Sequence, residues 1–465
     1  MTEPEKNECD LFHSSSFEIL NKYGSRCRRL NDTRTNYPSY ETENSIETTS
    51  CVESIIRLAA EKFIQSSSEC NNHPYQSSIF NSEEVQLVQI LLCCAEKVSE
   101  KMYDRARKLL VECDRMSSCT GTPIQRLIFY FTEALHEKIY RETGIIPPKG
   151  LAETILDPFE ALKSVDDEIL IAFHQELPLS QVTKFSGIQA AVDNIADARK
   201  IHFIDFDIKK GIQCTILMQA LAARSENPVE QLKITAVGVK SKSRTSIEET
   251  GRQLTSFAQS LNLKKFSFNA VIVEDITDLD RSPFERDEDE VIAIYAAFTL
   301  THMIGRPHQL EHLMRVIRAI NPRVMIITEV EGNCNSPTFV DRFVEALFFY
   351  GAYFESMADC MKNDEKHRFF AESSVFSSSI KNVVATEGDE RKIRHVGISV
   401  WRAFFERFGF EEIELSMSSL YQARLVVKNF SCGDSFTFDI DGKSLIIGWK
   451  GTPISSLSAW KLKYS

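Results

Sequence analysis

The chain has 465 residues, 43% of them hydrophobic, and a formal net charge of −12. This length predicts two or three folded units or one large one, with enough apolar side chains for a substantial core. An acidic chain repels phosphate on average, so its charge argues against a protein that grips DNA directly and favours DNA contact through a bridging partner.

The N-terminal region, residues 1–80, is rich in polar side chains and shows little periodicity, which predicts that it is largely disordered. Within it, residues 51–65 have the pattern of a short amphipathic helix. The basic cluster Arg26–Leu30 fits either a nuclear-import element or a solvated run of charge, and the sequence leaves both interpretations open.

A unit of helices, the predicted cap, covers residues 82–150. Ser82 precedes two glutamates and has the character of a helix N-cap. Leu87, Ile90 and Leu91 then share one face of the first helix. This stripe fits core packing within the chain, or a surface that docks on a partner helix.

From residue 178 to residue 463, apolar segments that predict strands alternate with segments that predict helices. The strands are predicted at 201–206, 232–239, 268–273, 291–297 and 323–329, and the helices at about 211–224, 246–262, 307–320 and 337–350. Near the end of the chain, Asp441 and Gly442 form a hairpin turn signal between two further strands. The fold class is therefore α/β, with a Rossmann-like (methyltransferase-type) core, a mostly parallel sheet, a C-terminal antiparallel hairpin and an α-helical cap.

The turn after the first predicted strand lacks the features that hold a cofactor. Between Asp205 and Gly211 it has a single glycine, and the bulky Phe206 and Ile208 stand where a nucleotide or S-adenosylmethionine needs small residues. The next strand ends at Lys240 without the acid that would bind ribose hydroxyls. We therefore expect no cofactor and no enzyme activity, and the alternative is a methyltransferase or a small-ligand-binding protein.

Few other side chains are candidates for catalysis or metal binding. Asp205 and Asp207 fit either a carboxylate pair for acid–base catalysis or a structural role at the start of the next helix. His202 lies within an apolar strand and fits a hydrogen-bonded core histidine better than a ligand. His308 and His312 lack the glutamate of a zinc protease, so we expect no metal.

The cysteines indicate a reducing compartment. The 12 cysteines include no CxxC pair, and residues 1–20 lack the apolar stretch of a signal peptide. We therefore expect free thiols. No apolar run reaches about 18 residues, which argues against a membrane span.

Five sequence blocks resemble, in this order, the GRAS family of plant transcriptional regulators over residues 83–463. The first leucine-rich block corresponds to LVQILLCCAEKVSEKMYDRARKLLVEC with PIQRLIFYFTEAL, and the second to TGRQLTSFAQSLNL with residues 291–317. Between them, IHFIDFDIKKGIQCTILMQAL is similar to the family's VHIID motif. The last two blocks, which begin at PRVMIITE and at ERKIRHVG, are similar to the PFYRE and SAW motifs.

The resemblance assigns particular residues to these motifs. The VHIID-like residues are Ile201, His202, Phe203, Ile204 and Asp205. The PFYRE-like residues are Pro322, Glu329, Asn333, Asn335, Arg342 and Phe343. The SAW-like residues are Arg394, His395, Trp401, Trp449, Ser458, Ala459 and Trp460, and the three tryptophans among them fit interface hot spots and core residues equally well.

The resemblance implies a nuclear co-regulator that is similar to methyltransferases in shape but not in activity. Such a protein docks on DNA-bound factors, notably zinc-finger proteins of the two-cysteine, two-histidine type. It also pairs with other GRAS proteins, as a homodimer or heterodimer, through the cap near Leu87. DNA is then contacted only indirectly.

Two departures from the family pattern affect these expectations. The family usually has a glutamate where this chain has Val396, so a salt bridge made by that glutamate is expected to be missing. Residues 1–80 lack the N-terminal motifs of the DELLA subgroup, although the core resembles DELLA-like members. We therefore expect a DELLA-like core without the hormone-sensing arm.

Overall fold

Six helices precede the first strand in the part of the chain that this computed structural model describes, which is residues 51–68, 83–146, 165, 167–240, 243–287 and 289–463. They are α1 (Val52–Ser68), α2 (Glu83–Ser99), α3 (Tyr103–Met116), α4 (Pro123–Thr143), α5 (Asp167–Glu176) and α6 (Pro178–Asn194). The N-cap predicted at Ser82 and the basic cluster Arg26–Leu30 lie outside the described residues.

Local sequence signals set the ends of α4. At its start, the Thr122 hydroxyl accepts a hydrogen bond from the Gln125 backbone N–H (3.3 Å), and the Gln125 side chain accepts one from the Thr122 N–H (3.0 Å). This capping box satisfies two N–H groups that the first turn of a helix leaves free. The helix ends where Gly144 adopts a left-handed conformation, with φ of 72°.

Among the described residues, nine strands form one sheet, and eight further helices lie between or beside them. The strands are β1 (Lys200–Asp205), β2 (Gln231–Val239), β3 (Phe266–Val273), β4 (Glu290–Ala297), β5 (Val324–Val330), β6 (Phe410–Ile413), β7 (Phe436–Asp441), β8 (Ser444–Trp449) and β9 (Thr452–Leu462). The helices are α7 (Ile212–Ala222), α8 (Arg244–Ser260), α9 (Pro307–Ile320), α10 (Phe339–Cys360), α11 (Glu365–Phe370), α12 (Ser377–Ala385), α13 (Ile398–Arg407) and α14 (Met417–Lys428). A π-helical turn, Ala371–Phe376, joins α11 to α12.

The strand order is β3-β2-β1-β4-β5-β9-β8-β7, with β6 also paired to β9. Strands β1 to β5 are parallel, and β9 runs antiparallel to β5, β6 and β8. The hairpin predicted at Asp441-Gly442 joins β7 to β8, and Gly442 turns the chain with φ of 65°. The α/β class and its methyltransferase-type sheet are thus confirmed, with β9 at the junction between the parallel and antiparallel halves.

The helical cap is larger than the predicted unit at residues 82–150. Its core includes Ile55 and Ile56 of α1, and aromatic residues of α10 such as Phe343 and Phe354. The rings of Phe343 and Phe131 meet edge to face at 5.2 Å. Residues 52–68 are therefore helical, as the amphipathic pattern at 51–65 predicts, and the rest of 1–80 lies outside the described residues.

The buried carboxylate of Glu355 on α10 joins three distant parts of the chain. It accepts hydrogen bonds from the Val52 backbone N–H (3.2 Å), the Trp449 indole N–H (3.1 Å) and the Lys450 ammonium (2.9 Å). These contacts connect the start of α1 and the turn after β8 to one side chain of the cap. Charged groups in such contacts make strong hydrogen bonds when they are shielded from water.

No helix among the described residues is long and apolar enough to cross a bilayer.

The stripe predicted at the start of the cap is part of the core of this chain. Leu87 and Leu91 are buried among the other cap helices, and Ile90 is half-buried at the edge of the same cluster. Helical spacing identifies the apolar face of a helix, but it does not reveal which partner covers that face. The hypothesis that Leu87 and Leu91 form an exposed pairing surface is therefore wrong, and the core alternative describes them.

Leu91→Ala is expected to lower the free energy of unfolding by about 2–5 kcal/mol, because it leaves a cavity in the cap. Val111→Ala on α3 is the matched control, since that side chain is 58% exposed and should change stability by no more than about 0.5 kcal/mol. Urea unfolding measures both values. If Leu91→Ala leaves stability unchanged and instead lowers the mass of the particle in solution, the core assignment is wrong.

Candidate functional site

The candidate site is the turn that follows β1, at the carboxyl edge of the parallel strands, where α/β sheets usually bind ligands. One oxygen of Asp205 accepts a hydrogen bond from the Asp207 backbone N–H (2.9 Å). The other oxygen accepts one from the Gln213 side-chain amide (2.7 Å), and that amide also donates to the Ile208 carbonyl (3.2 Å). Asp205 thus holds its own turn in shape, and Asp207 pairs with Lys209 at 3.0 Å.

Asp205 is almost fully buried, and this sets its protonation. Burial raises the pKa of its carboxyl to about 7, in spite of the hydrogen bonds from Gln213 and Asp207, which lower it. The thiol of Cys214 lies 3.9 Å from the same carboxyl. A carboxyl in this setting has no open side from which a substrate could approach, which supports the structural alternative for Asp205.

Bulky side chains fill the turn where a cofactor would lie. Phe206 and Ile208 are both buried, one in the core cluster on each face of the sheet. Gly211 has φ of 67°, and a Cβ on it would come within 2.9 Å of the Thr250 methyl group on α8. The Thr250 hydroxyl also donates to the Lys209 carbonyl at 2.8 Å. The glycine of this turn therefore allows close packing of α8, and not the approach of a phosphate.

The end of β2 is closed in the same way. A Cβ on Gly238 would lie 2.5 Å from Ile247 and 2.6 Å from the Ser243 hydroxyl, both on the α8 side. In a nucleotide-binding fold this region holds the ribose. Here α8 packs against the turn after β1 and the end of β2. The protein's own side chains therefore occupy the two positions that bind a cofactor in a nucleotide-binding fold.

His202 is a core histidine, as the sequence favoured. Its Nε2 lies 2.7 Å from the Thr235 hydroxyl, and its Nδ1 lies 3.8 Å from the buried Glu290 carboxylate. Burial, together with the smaller effect of the nearby Lys233, lowers the pKa of His202 to about 3. The ring is therefore neutral near pH 7, and its hydrogen bond to Thr235 links β1 to β2. The other residues of the VHIID-like motif, Ile201, Phe203 and Ile204, are buried in the same strand.

The other histidine pair does not form a metal site. His312 Nε2 lies 2.7 Å from the Leu279 carbonyl, while His308 is exposed on the same helix. Among the described residues, no group of three or more histidine, cysteine, aspartate or glutamate side chains is placed to hold a metal ion.

The PFYRE-like residues stabilise the segment between β5 and α10. Arg342 is fully buried and donates to the Val383 carbonyl (3.0 Å), the Ser336 carbonyl (3.1 Å) and the Glu387 carboxylate. Phe343 packs in the cap core. Because Arg342 bonds to Val383 and Glu387, in the last turn of α12 and just beyond it, it fastens the C-terminal end of that helix to the start of α10.

The remaining PFYRE-like residues have separate roles. Glu329 accepts hydrogen bonds from the Leu300 N–H (2.8 Å) and the Thr301 N–H (3.3 Å), and burial raises its pKa to about 8. Asn333 donates to Glu345 at 3.4 Å. Pro322 is buried just before β5, and Asn335 accepts a hydrogen bond from Arg394 at 3.2 Å.

The three tryptophans are core residues, which decides between the two interpretations of them. Trp401 stacks on Phe405 at 5.6 Å, and Trp460 meets the same ring edge to face at 4.8 Å. The Trp460 indole donates to the Ser458 hydroxyl at 2.8 Å, beside the buried Ala459. The Trp449 indole N–H donates to the Glu355 carboxylate, as described above.

Val396 shows how the chain accommodates the loss of the family's usual glutamate. It is buried in the core cluster with Trp401. Arg394, two residues earlier, donates to the Arg391 carbonyl (3.0 Å) and to the Gly388 carbonyl (2.6 Å). Burial lowers the pKa of the intervening His395 to about 3. Backbone carbonyls thus hold Arg394, and an apolar side chain occupies the glutamate position.

An exposed apolar stripe on α14 is the surface that the sequence reasoning missed. Met417, Tyr421 and Leu425 are 78%, 62% and 40% exposed. The opposite face of α14 packs on α6, where the Ser186 hydroxyl donates to the Ser419 carbonyl at 2.7 Å. The spacing of four residues in MSSLYQARLVVK is the sequence signal that marks this stripe.

The sheet order, the covering helices and the helical cap define a Rossmann-like protein of the methyltransferase type whose ligand-binding turn is filled by its own side chains. The model of the GRAS domain family matches residues 87–461. This chain therefore belongs to the GRAS family, a family of plant transcriptional regulators.

Relatives of known sequence are consistent with this assignment. DELLA protein RGL3 of Arabidopsis thaliana is 31% identical over 379 residues, which cover 81% of this chain and 69% of that protein. DELLA protein 2 of Medicago truncatula is 30% identical, with 81% and 68% covered. Against DELLA protein GAI1 of Vitis vinifera, the identity is 29%, and the chain spans only 62% of that protein's length.

A solved structure supports the fold. The crystal structure of SCL7 from Oryza sativa superposes with a TM-score of 0.70 at 27% identity, and it covers 81% of this chain and 99% of that one. The trans-methyltransferase CalH in complex with SAH gives a TM-score of only 0.34 at 10% identity, which is too distant to support any argument about activity.

Gly211→Ala is expected to destabilise the protein more than Gly144→Ala. Both glycines have positive φ, which disfavours alanine by about 1–2 kcal/mol, but only Gly211 has a close neighbour, the Thr250 methyl group at 2.9 Å. The extra loss should be about 1–3 kcal/mol, measured by urea unfolding.

A rescue variant tests the cause of that loss. Thr250→Ser removes the methyl group and keeps the hydroxyl that donates to Lys209. If the Gly211→Ala, Thr250→Ser double variant is no more stable than Gly211→Ala alone, contact with α8 is not the reason why this turn needs glycine.

Asp205→Asn is expected to change how stability depends on pH. The native carboxyl stays protonated up to a pKa of about 7, whereas an ordinary aspartate ionises near 3.8. Since the native state binds more protons in this window, wild type should lose stability relative to Asp205→Asn as pH rises from about 4 to 7, by at most about 1.4 kcal/mol per pH unit.

His202→Gln provides a control with the opposite sign. The native ring stays neutral down to a pKa of about 3, below the ordinary 6.5. Wild type should therefore gain stability relative to His202→Gln as pH rises from about 3 to 6.5. Urea unfolding at several pH values measures both differences in unfolding free energy. If the two differences change with pH in the same direction, the burial argument is contradicted.

Proposed function

We propose that this protein is a non-enzymatic, nuclear transcriptional co-regulator that docks on DNA-bound transcription factors. The observation that carries the proposal is the exposed stripe of α14, Met417, Tyr421 and Leu425. An apolar stripe at this spacing is the feature by which helices recognise grooves or other helices. The filled turn after β1 supports a binding role over catalysis.

The partner that we propose is a zinc-finger protein of the two-cysteine, two-histidine type. Family resemblance suggests this class, and charge supports it: the chain carries a net charge of −12, while a protein that binds DNA is normally basic. Opposite charges speed the encounter of two proteins and orient them, while apolar contacts at the centre supply affinity. DNA would then be contacted only through the partner.

We also propose pairing with a second GRAS protein through the cap. Because Leu87 and Leu91 are core residues, such pairing must use exposed cap residues, of which Val111 on α3 is the most exposed apolar one in that helix. Sedimentation of the wild type and of Val111→Glu would reveal whether this side chain contributes.

The alternative function is an S-adenosylmethionine-type methyltransferase or a small-ligand-binding protein. The sheet order supports this alternative, since methyltransferases share it, but the packing of Phe206, Ile208 and α8 leaves the usual cofactor positions occupied. Calorimetry with S-adenosylmethionine tests it directly. Binding in the micromolar range would overturn the non-enzymatic proposal.

Tyr421→Asp is expected to abolish docking without unfolding the protein. A charge in the stripe disfavours burial against an apolar partner, while the exposed side chain contributes little to the fold. In a gel shift, wild type should supershift a complex of a zinc-finger factor with its DNA, and Tyr421→Asp should not. Val400→Asp on α13, where the native side chain is 52% exposed, is the control and should supershift like wild type.

Two outcomes would contradict the proposal. If the wild-type chain shifts naked DNA by itself, in a strongly salt-dependent way, then it binds DNA directly. If Tyr421→Asp and Val400→Asp both supershift like wild type, α14 is not the docking surface.

A further inference from the structure

Two cysteines that are distant in sequence lie together at the junction of the cap and the sheet. Cys360 is the last residue of α10, and Cys432 lies in the connection between α14 and β7, just before the short 3-10 turn Gly433–Ser435. Both side chains are partly exposed, and both pack against the core cluster on the same face of the sheet.

A chain of contacts fixes this proximity. The carboxylate of Asp359, next to Cys360, lies 3.6 Å from the Lys450 ammonium. The backbone N–H of Lys450 donates to the Ser435 carbonyl at 2.7 Å, and the Ser435 N–H donates to the Cys432 carbonyl at 3.1 Å. The connection that carries Cys432 is thus held against the end of α10 by an ion pair and two backbone hydrogen bonds.

The two thiols also interact directly. A hydrogen bond between them, together with burial, raises the pKa of Cys360, and the same hydrogen bond lowers the pKa of Cys432. The pair therefore has one member that forms a thiolate more readily and one that stays protonated. Only thiolates attack oxidants rapidly, so Cys432 is the reactive member.

We propose that Cys360 and Cys432 form a reversible oxidation site whose oxidant is a hydroperoxide such as hydrogen peroxide. The Cys432 thiolate attacks one peroxide oxygen, the O–O bond breaks, and Cys432 becomes a sulfenic acid while hydroxide leaves. The Cys360 sulfur then attacks the sulfenic sulfur, an S–S bond forms, and its proton leaves with the displaced hydroxide as water. In sum, two thiols lose two electrons and two protons, and one peroxide becomes two waters.

The reverse reaction needs a thiol reductant, such as glutathione or dithiothreitol, which attacks the disulfide and is itself oxidised. In a reducing compartment such a bond is transient, which is typical of sensing rather than structural disulfides. The cross-link would fasten the end of α10 to the connection before β7. This proposal does not depend on the proposed docking function.

The chain contains a natural control pair, Cys94 and Cys113. These thiols also share a hydrogen bond, which raises the pKa of Cys94. Both side chains are fully buried in the cap, and the Cys94 thiol also donates to the Ala106 carbonyl at 3.4 Å. Because no oxidant reaches them in the folded protein, they should stay reduced under conditions that oxidise Cys360 and Cys432.

The test uses the full chain, reduced, desalted and then treated with graded hydrogen peroxide. Remaining thiols are blocked with N-ethylmaleimide, and the protein is digested without reductant for mass spectrometry. A peptide pair that joins Cys360 to Cys432 should appear first and disappear after dithiothreitol. Cys94 and Cys113 should remain as thiols that N-ethylmaleimide labels only after denaturation.

Single variants assign the roles. Cys360→Ser should leave a Cys432 sulfenic acid that dimedone traps, whereas Cys432→Ser should reduce dimedone labelling at Cys360 several-fold below that level. Circular dichroism checks that both variants are folded. The proposal is overturned if peroxide oxidises other cysteines before this pair, or if the pair linking Cys94 to Cys113 appears at the same rate. Direct conversion of Cys432 to sulfinic acid without a cross-link would also overturn it.

Discussion

One buried carboxylate, Glu355, joins the cap to the antiparallel half of the sheet, where α10 also packs on the sheet-face core. Its partners, the Val52 N–H, the Trp449 indole and the Lys450 ammonium, come from opposite ends of the described chain. A buried charge is costly unless its hydrogen bonds are complete, and all three donors must be in place at once. The helix that carries Glu355 therefore fixes how α1, the cap and the antiparallel half of the sheet meet.

The same sheet has the strand order of a ligand-binding scaffold, but the protein's own side chains fill the turn after β1. The turn after β1 keeps its acid and its glycine, but Asp205 is used to hold the turn and Gly211 to admit α8. On the outside of the molecule, α14 is fastened on one side by Ser186 and Ser419 and exposes apolar residues on the other.

Local sequence patterns were sufficient to predict the parallel half of the fold, but they did not predict how the cap is assembled. Each predicted strand lies within about two residues of its position in the structure, because a buried parallel strand is a continuous apolar run with sharp ends. The contact of α1 with α10 could not be foreseen, since periodicity reports that a face is buried but not by what. For the same reason the stripe at Leu87 and Leu91 stayed ambiguous until its neighbours were known. In α14 the pattern was obscured because Val426 and Val427, which face the core, stand directly after the exposed Leu425.

The position of β9 has a consequence for how the protein is made. This strand lies between β5 on one side and β6 and β8 on the other, yet it follows all of them in sequence. During translation, the parallel and antiparallel halves are synthesised before the strand that joins them leaves the ribosome. Until then, β5 presents an unpaired edge of apolar residues, which is the kind of surface that chaperones shield and that aggregates recruit. If translation stopped shortly before β9, the parallel and antiparallel halves would therefore lack the strand that joins them.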